Sequence, residues 1–316
     1  LAVAGVLGGK KILESKFAAP GPTPEAVVFS VPKGSGVSAI AAKLKRENLI
    51  SNTDLFKLMV RLEGEETGLK AGEFAVPPAA SMRTIYKTLK DGKAILYPFT
   101  APEGLTSAQI MRAMAQIETL VDDNPPLPAE GTLLPETYLT PRGMTRSALI
   151  RKMQNAQTKF LDKAWENRAD NLPVKTKEEV LILASVVEKE TGQTSERNEV
   201  AGVFTNRLNR GMRLESDPTI IYGINQGEKL GRGIRRSEIN RKTDWNTYQM
   251  DGLPKTPICN PGKDAILAVL NPATTDAIFF VADGTGGHAF ASTLAGHNAN
   301  VRKWRKIERQ RKAENP

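Results

Sequence analysis

Two carboxylates, Glu188 and Glu190, stand near the end of the segment Thr176 to Gly192, with Lys189 between them. On a helix, Glu190 follows Val187, Val186 and Leu183 by three, four and seven residues, so it extends an apolar stripe. Glu188 lies over Ser185, Ala184 and Leu181, a less uniformly apolar face. Burial disfavours a carboxylate anion and raises its pKa, which keeps a proton available near neutral pH. A general acid needs that property. The same two residues would do no chemistry if they only decorated the solvated last turn of a helix, and spacing alone leaves that alternative open.

Other chemistries are excluded by composition. The chain has one cysteine, Cys259, and two histidines, His288 and His297. A disulfide within the chain, a cysteine-rich zinc site and a three-histidine metal centre are therefore impossible, and neither metal nor cofactor is expected. Cys259 reads as a small packed residue. His288 reads as a turn residue after an apolar strand (Ile278 to Ala282), and His297-Asn298 as a helix start. The 316 residues, 40% apolar and 25% charged, suit a globular chain of about two domains. Lys and Arg number 44 against 35 Asp and Glu, so anionic partners fit: phospholipid, carboxylate-bearing wall polymer or nucleic acid. No aromatic-interleaved or Gly-rich RNA signature accompanies the basic run Arg302 to Lys312, so nucleic acid is not expected.

The elements that must position these groups follow from periodicity. The chain opens on an apolar run, Leu1 to Gly9, before Lys10-Lys11. That run is far short of the ~20 residues of a membrane span and is read as the stub of one. After the Pro-rich linker Ala19 to Pro24, a strand at Val27 to Val31 precedes helical spacing at Val37 to Leu44 and again from Thr53. A strand at Gly72 to Val76 and a helix from Ser81 to Leu89 follow. This βααβ order resembles the LysM carbohydrate-binding module. From Ala94 a new unit begins with a strand to Phe99. A helix opened by the capping box Thr106-Ser107-Ala108-Gln109 is predicted to run to about Leu120, and a long amphipathic helix covers Thr145 to Trp165. A second capping box, Thr176 to Glu179, and Gly192 as the residue after the C-cap delimit a helix at Lys177 to Thr191. Asp217 is placed to cap a short helix with Pro218 in its first turn. The expected fold is α+β, with residues 1–25 as anchor stub and linker, 26–93 as a small LysM-like domain, and 94–316 as a larger mixed α/β catalytic domain.

A run of short motifs then becomes recognisable. Glu188-Lys189-Glu190-Thr191, Glu196-Arg197, Asn206-Arg207-Leu208, Ser216-Asp217-Pro218-Thr219 with Tyr222-Gly223, Trp245-Asn246-Thr247-Tyr248, Gly252-Leu253-Pro254, Pro257 to Gly262, Phe280 to Gly284, Gly287-His288 and His297-Asn298 occur in order. Together they resemble the endolytic murein transglycosylases of the MltG/YceG-like family. Two positions depart from that pattern: Glu215, where Gln is expected, and Lys255, where Pro is expected.

The resemblance implies a protein anchored to the bacterial inner membrane by one N-terminal helix, with its catalytic domain in the periplasm. Its substrate would be the glycan strands of peptidoglycan, cut within the chain to leave 1,6-anhydro-MurNAc ends. Peptidoglycan synthases are the expected protein partners. One carboxyl suffices for such chemistry, and Glu190 is the expected acid/base, with Glu188 as the fallback. Asn206, Ser216, Asp217, Asn246 and Tyr248 are the expected substrate contacts, although each suits a structural role equally well. A non-catalytic wall-binding or division-scaffold protein of the same fold is the alternative.

Overall fold

The alternation of Val27–Val31 (β1) sends Phe29 and Val31 to one face, and both are buried in the computed structural model, which describes residues 2–63 and 68–314. Leu1, the first residue of the expected stub, and Asn315 and Pro316, the last of the expected catalytic domain, lie outside the described residues. β1 pairs antiparallel with Gly72–Val76 (β2), placing Phe29 opposite Phe74. Between them, Val37–Arg46 (α2) and Thr53–Leu62 (α3) turn Ile40, Leu44, Phe56 and Val60 into the same core. Asn52 caps α3 by accepting from the Asp54 and Leu55 amides, both at 2.9 Å. Met82–Asp91 (α4) completes the unit, capped by Ser81.

The expected stub is structured. Ala2–Ala18 forms a helix (α1), and Phe17 is buried with its ring 6.3 Å from Phe56 and 6.4 Å from Tyr86. No helix among the described residues is long and apolar enough to cross a membrane.

The chain divides into two units, one running to Pro98 with Leu139–Met144 added, the other comprising Phe99–Tyr138 and Thr145 onward. The return of residues 139–144 to the first unit has a polar cause. Glu73 is buried there, and its carboxylate accepts from Arg142 Nε at 2.8 Å and from the Tyr97 hydroxyl at 2.6 Å. The strand expected from Ala94 starts at Tyr97 (β3, Tyr97–Thr100), because Ile95 donates its amide to the Glu73 carbonyl instead.

In the second unit, the Thr106 capping box forms as expected, but its helix (α5, Ser107–Ala115) is shorter than the sequence indicates. Tight turns through Ile117 hand the chain to Leu120–Val121 (β4). Thr137–Thr140 (β5) and Met144–Thr145 (β6) lead into the long helix Arg146–Glu166 (α6), capped by Thr145. Lys177–Glu190 (α7) packs against α6 and against Arg197–Asn209 (α8), Asp217–Asn225 (α9) and Lys263–Leu270 (α11). Arg236–Ile239 (α10) precedes α11. The burial of α7 explains why its middle is apolar all round: Val180, Leu183, Ala184, Val186 and Val187 sit in the main core. Phe279–Ala282 (β7) and His288–Ala291 (β8) form an antiparallel hairpin, and Leu294–Glu314 (α12) packs on it.

Candidate active site

Glu190 is the last residue of α7. Thr191 breaks the helix with extended backbone (φ −134°, ψ 129°), so the chain leaves without the left-handed glycine expected at Gly192. The Glu190 side chain is half-buried, and burial pushes its carboxyl up from 4.5 to about 7. The nearby Asp217 carboxylate pushes the same way, while a hydrogen bond from Ser216 and the positive charge of Arg207 oppose. The negative end of the α7 dipole also disfavours an anion at this position.

Ser216 donates its hydroxyl to Glu190 Oε1 at 2.5 Å. This corrects the expected helix start: Ser216, not Asp217, is the N-cap of α9, and its side chain makes no capping bond because it is committed to the carboxyl. Glu190 Oε2 has no hydrogen-bond partner among the described residues. Asp217 is exposed and accepts from the Tyr248 hydroxyl at 2.9 Å. Ser216, Asp217 and Tyr248 are thus gathered beside the carboxyl.

The two asparagines are occupied elsewhere. Asn246 is buried, and its amide nitrogen donates to the carbonyls of Glu238, Ile239 and Arg241 at 3.3, 2.9 and 2.7 Å. Its oxygen accepts from the Tyr248 amide at 3.0 Å, so it fixes the loop that presents Tyr248. Asn206 donates to the carbonyls of Thr275 and Ala277 at 2.8 and 2.9 Å, tying α8 to the approach of β7.

Glu188 has a different environment. Its side chain is 5% exposed and faces Arg197, itself 7% exposed, at 3.1 Å. The second carboxylate oxygen accepts from the Gly262 amide at 2.9 Å. Arg197 also reaches Glu103 at 3.3 Å and Asp264 at 3.5 Å. Burial raises the Glu188 carboxyl, and the Gly262 amide and Arg197 counter it. Both of its oxygens are engaged in joining α7 to α8 and α11.

Glu190 opens onto a cavity of about 280 Å³, near the lower end of ligand pockets at ~300–1,000 Å³. Its other walls come from residues that sequence patterns did not single out as site residues: Gly284, Gly286 and Gly287 of the hairpin, and Trp304 and Arg311 of α12. Arg311 donates to the Gly284 carbonyl. His288 lines the cavity as well, and it is the first residue of β8 rather than a turn residue. These positions lie roughly a hundred residues from Glu190 in the chain, and only the fold brings them to it.

The two departures from the resembled pattern are both paired. Glu215, at φ 51°, accepts from Arg207 at 3.0 Å, which offsets the negative charge it brings near Glu190. Lys255 reaches Asp244 at 2.6 Å. Cys259 is fully buried, its thiol raised by burial and set 3.4 Å from the Ser185 carbonyl. His297 lies within α12, stacked on Phe279 at 5.1 Å.

Residues 29–303 match the YceG-like family. The endolytic murein transglycosylase of Streptococcus pneumoniae serotype 2 is 30% identical over 350 residues, covering 95% of this chain and 62% of that protein. The endolytic murein transglycosylase of Bacillus subtilis is 28% identical over 309 residues, covering 88% of this chain and 84% of that one. The crystal structure of a YceG-like protein from Listeria monocytogenes is similar, with a TM-score of 0.54 at 26% identity, covering 87% of this chain and 98% of the other. The chain therefore spans less than two thirds of the length of the pneumococcal relative. Because the family match extends through both units and the solved relative shares the fold, this chain belongs to the YceG-like family.

Proposed function

We propose that this protein is an endolytic lytic transglycosylase of peptidoglycan, with Glu190 as its single acid/base. The observation that carries this reading is a half-buried carboxyl on the wall of a cavity, pushed up by burial to about 7. Similarity to proteins named endolytic murein transglycosylases supplies the substrate class.

In this reading Ser216 holds Oε1, and the proton resides on the unpartnered Oε2. Oε2 protonates the oxygen of the MurNAc–GlcNAc linkage, the bond to the anomeric carbon breaks, and positive charge develops on the sugar. The C6 hydroxyl of the same MurNAc then attacks that carbon and returns its proton to Glu190. One bond breaks, one forms, and no water is consumed, so no second carboxylate is required.

The N-terminal βααβ unit is proposed to act as a LysM-like glycan-binding module, on the strength of its element order. We also place the protein at the inner membrane facing the periplasm, beside peptidoglycan synthases, as the resemblance implies. The net charge of +9 suits both anionic lipid and carboxylate-bearing glycan. Mass analysis of glycan strands incubated with the purified protein tests the activity. New ends lighter by one water than hydrolytic ends are expected; reducing ends, or binding without cleavage, would refute it.

A further inference from the structure

Across the cavity from the α7 terminus, the hairpin carries a polar group that the mechanism above does not use. Glu196, at the end of the short 3-10 turn Thr194–Glu196, grips His288 twice. Oε1 accepts from the His288 backbone amide at 2.9 Å, and Oε2 lies 2.8 Å from ring Nδ1. Glycine at 287 makes room for this carboxylate, since a Cβ there would fall 2.3 Å from Glu196 Oε1. The hairpin tip is braced independently: the Asp283 carboxylate accepts from the Thr285 amide at 2.7 Å and from the Gly287 amide at 3.2 Å.

A carboxylate against Nδ1 makes that nitrogen the donor, which leaves Nε2 to exchange a hydrogen bond with a ligand. Nε2 has no partner among the described residues, and His288 lines the same cavity as Glu190. Phe280 and Phe290 pack around the ring, with centroids 5.3 and 6.4 Å away, so its orientation is fixed on several sides. An oriented ring nitrogen beside three glycines and Trp304 suits a saccharide, which offers hydroxyls at its edge and apolar C–H faces for an aromatic ring.

We propose that His288, locked by Glu196, is a substrate-contacting residue whose Nε2 hydrogen-bonds a sugar hydroxyl or N-acetyl group of the glycan lying over Glu190. The proposal rests on the glycan-cleaving reading for its ligand class, so its test measures binding separately from cleavage. The probe is a GlcNAc–MurNAc tetrasaccharide titrated calorimetrically into the Glu190→Gln protein. Two further variants are then added singly to that background. His288→Asn keeps an amide near the Nδ1 position to donate to Glu196 but presents nothing at Nε2, whereas His288→Gln reaches the Nε2 position.

His288→Asn is expected to weaken binding about tenfold in protein that is still fully folded at the titration temperature, and His288→Gln to recover part of the loss. Affinity within about twofold of the parent for His288→Asn, or no binding by the parent itself, would overturn the proposal. If the binding pattern holds while the wild-type protein releases no anhydro-ended fragments, the subsite stands and the transglycosylase reading fails.

Discussion

At the scale of single residues, Glu190 and Glu188 show how two carboxyls separated only by Lys189 acquire different environments. Glu190 has one oxygen on Ser216 and one free, and its pKa of about 7 means that it holds a proton the unfolded chain would release. The folded-state pKa lies above the unfolded value, so the stability this group contributes is complete below about pH 4.5 and is lost as pH rises through about 7. Activity that depends on the same proton should fall above about pH 7. Ser216 donates to the anion and lowers the pKa, so Ser216→Ala should move that descending limb to higher pH. A pH–rate profile checks this, and a limb that stays put or moves down contradicts it. For Glu188, removal of the charge takes away the nearest and most buried carboxylate of Arg197, which keeps Glu103 at 3.3 Å and Asp264 at 3.5 Å. Glu188→Gln should cost about 1–3 kcal/mol in chemical denaturation while the folded fraction keeps its activity. Lost activity at full stability would transfer the acid role to Glu188.

At the scale of elements, position depends on close contacts that α7, α8 and the hairpin make within one unit. Gly202 sits on α8 where a Cβ would meet the Ala273 carbonyl at 2.7 Å and Thr275 Cγ2 at 2.9 Å. The same loop is held by Asn206, so Gly202→Ala should push α8 from it and destabilise the protein by about 1–3 kcal/mol, measured by thermal unfolding. An unchanged melting temperature would show that the loop yields freely. Much of this level was readable in the chain. The Thr176 box and the all-apolar middle of α7 name a buried helix, and Val187, Val186 and Leu183, the stripe on which Glu190 follows, are all buried in it. Local rules failed where a side chain serves a distant partner. Ser216 forgoes its capping bond for Glu190, 26 residues away, so sequence rules point to a cap one residue too late. Glu196 and His288 are 92 residues apart, and no periodicity connects them.

At the scale of the whole molecule, the described chain is two units with separate cores. The N-terminal core includes Phe17 of α1, so this helix is part of a packed domain as well as the segment expected to lead toward a membrane. Its pattern was legible as strand, helix, helix, strand, while the return of residues 139–144 was not, because it depends on Arg142 finding the buried Glu73. In the proposed reaction, cleavage by the second unit turns on one proton at Glu190. The decisive measurement is digestion of purified glycan strands by wild-type and Glu190→Gln protein, with products resolved by mass. The account predicts 1,6-anhydro-MurNAc ends from the wild type and at least a ~100-fold slower release from a stably folded Glu190→Gln. Near-normal release of those ends by Glu190→Gln would contradict it.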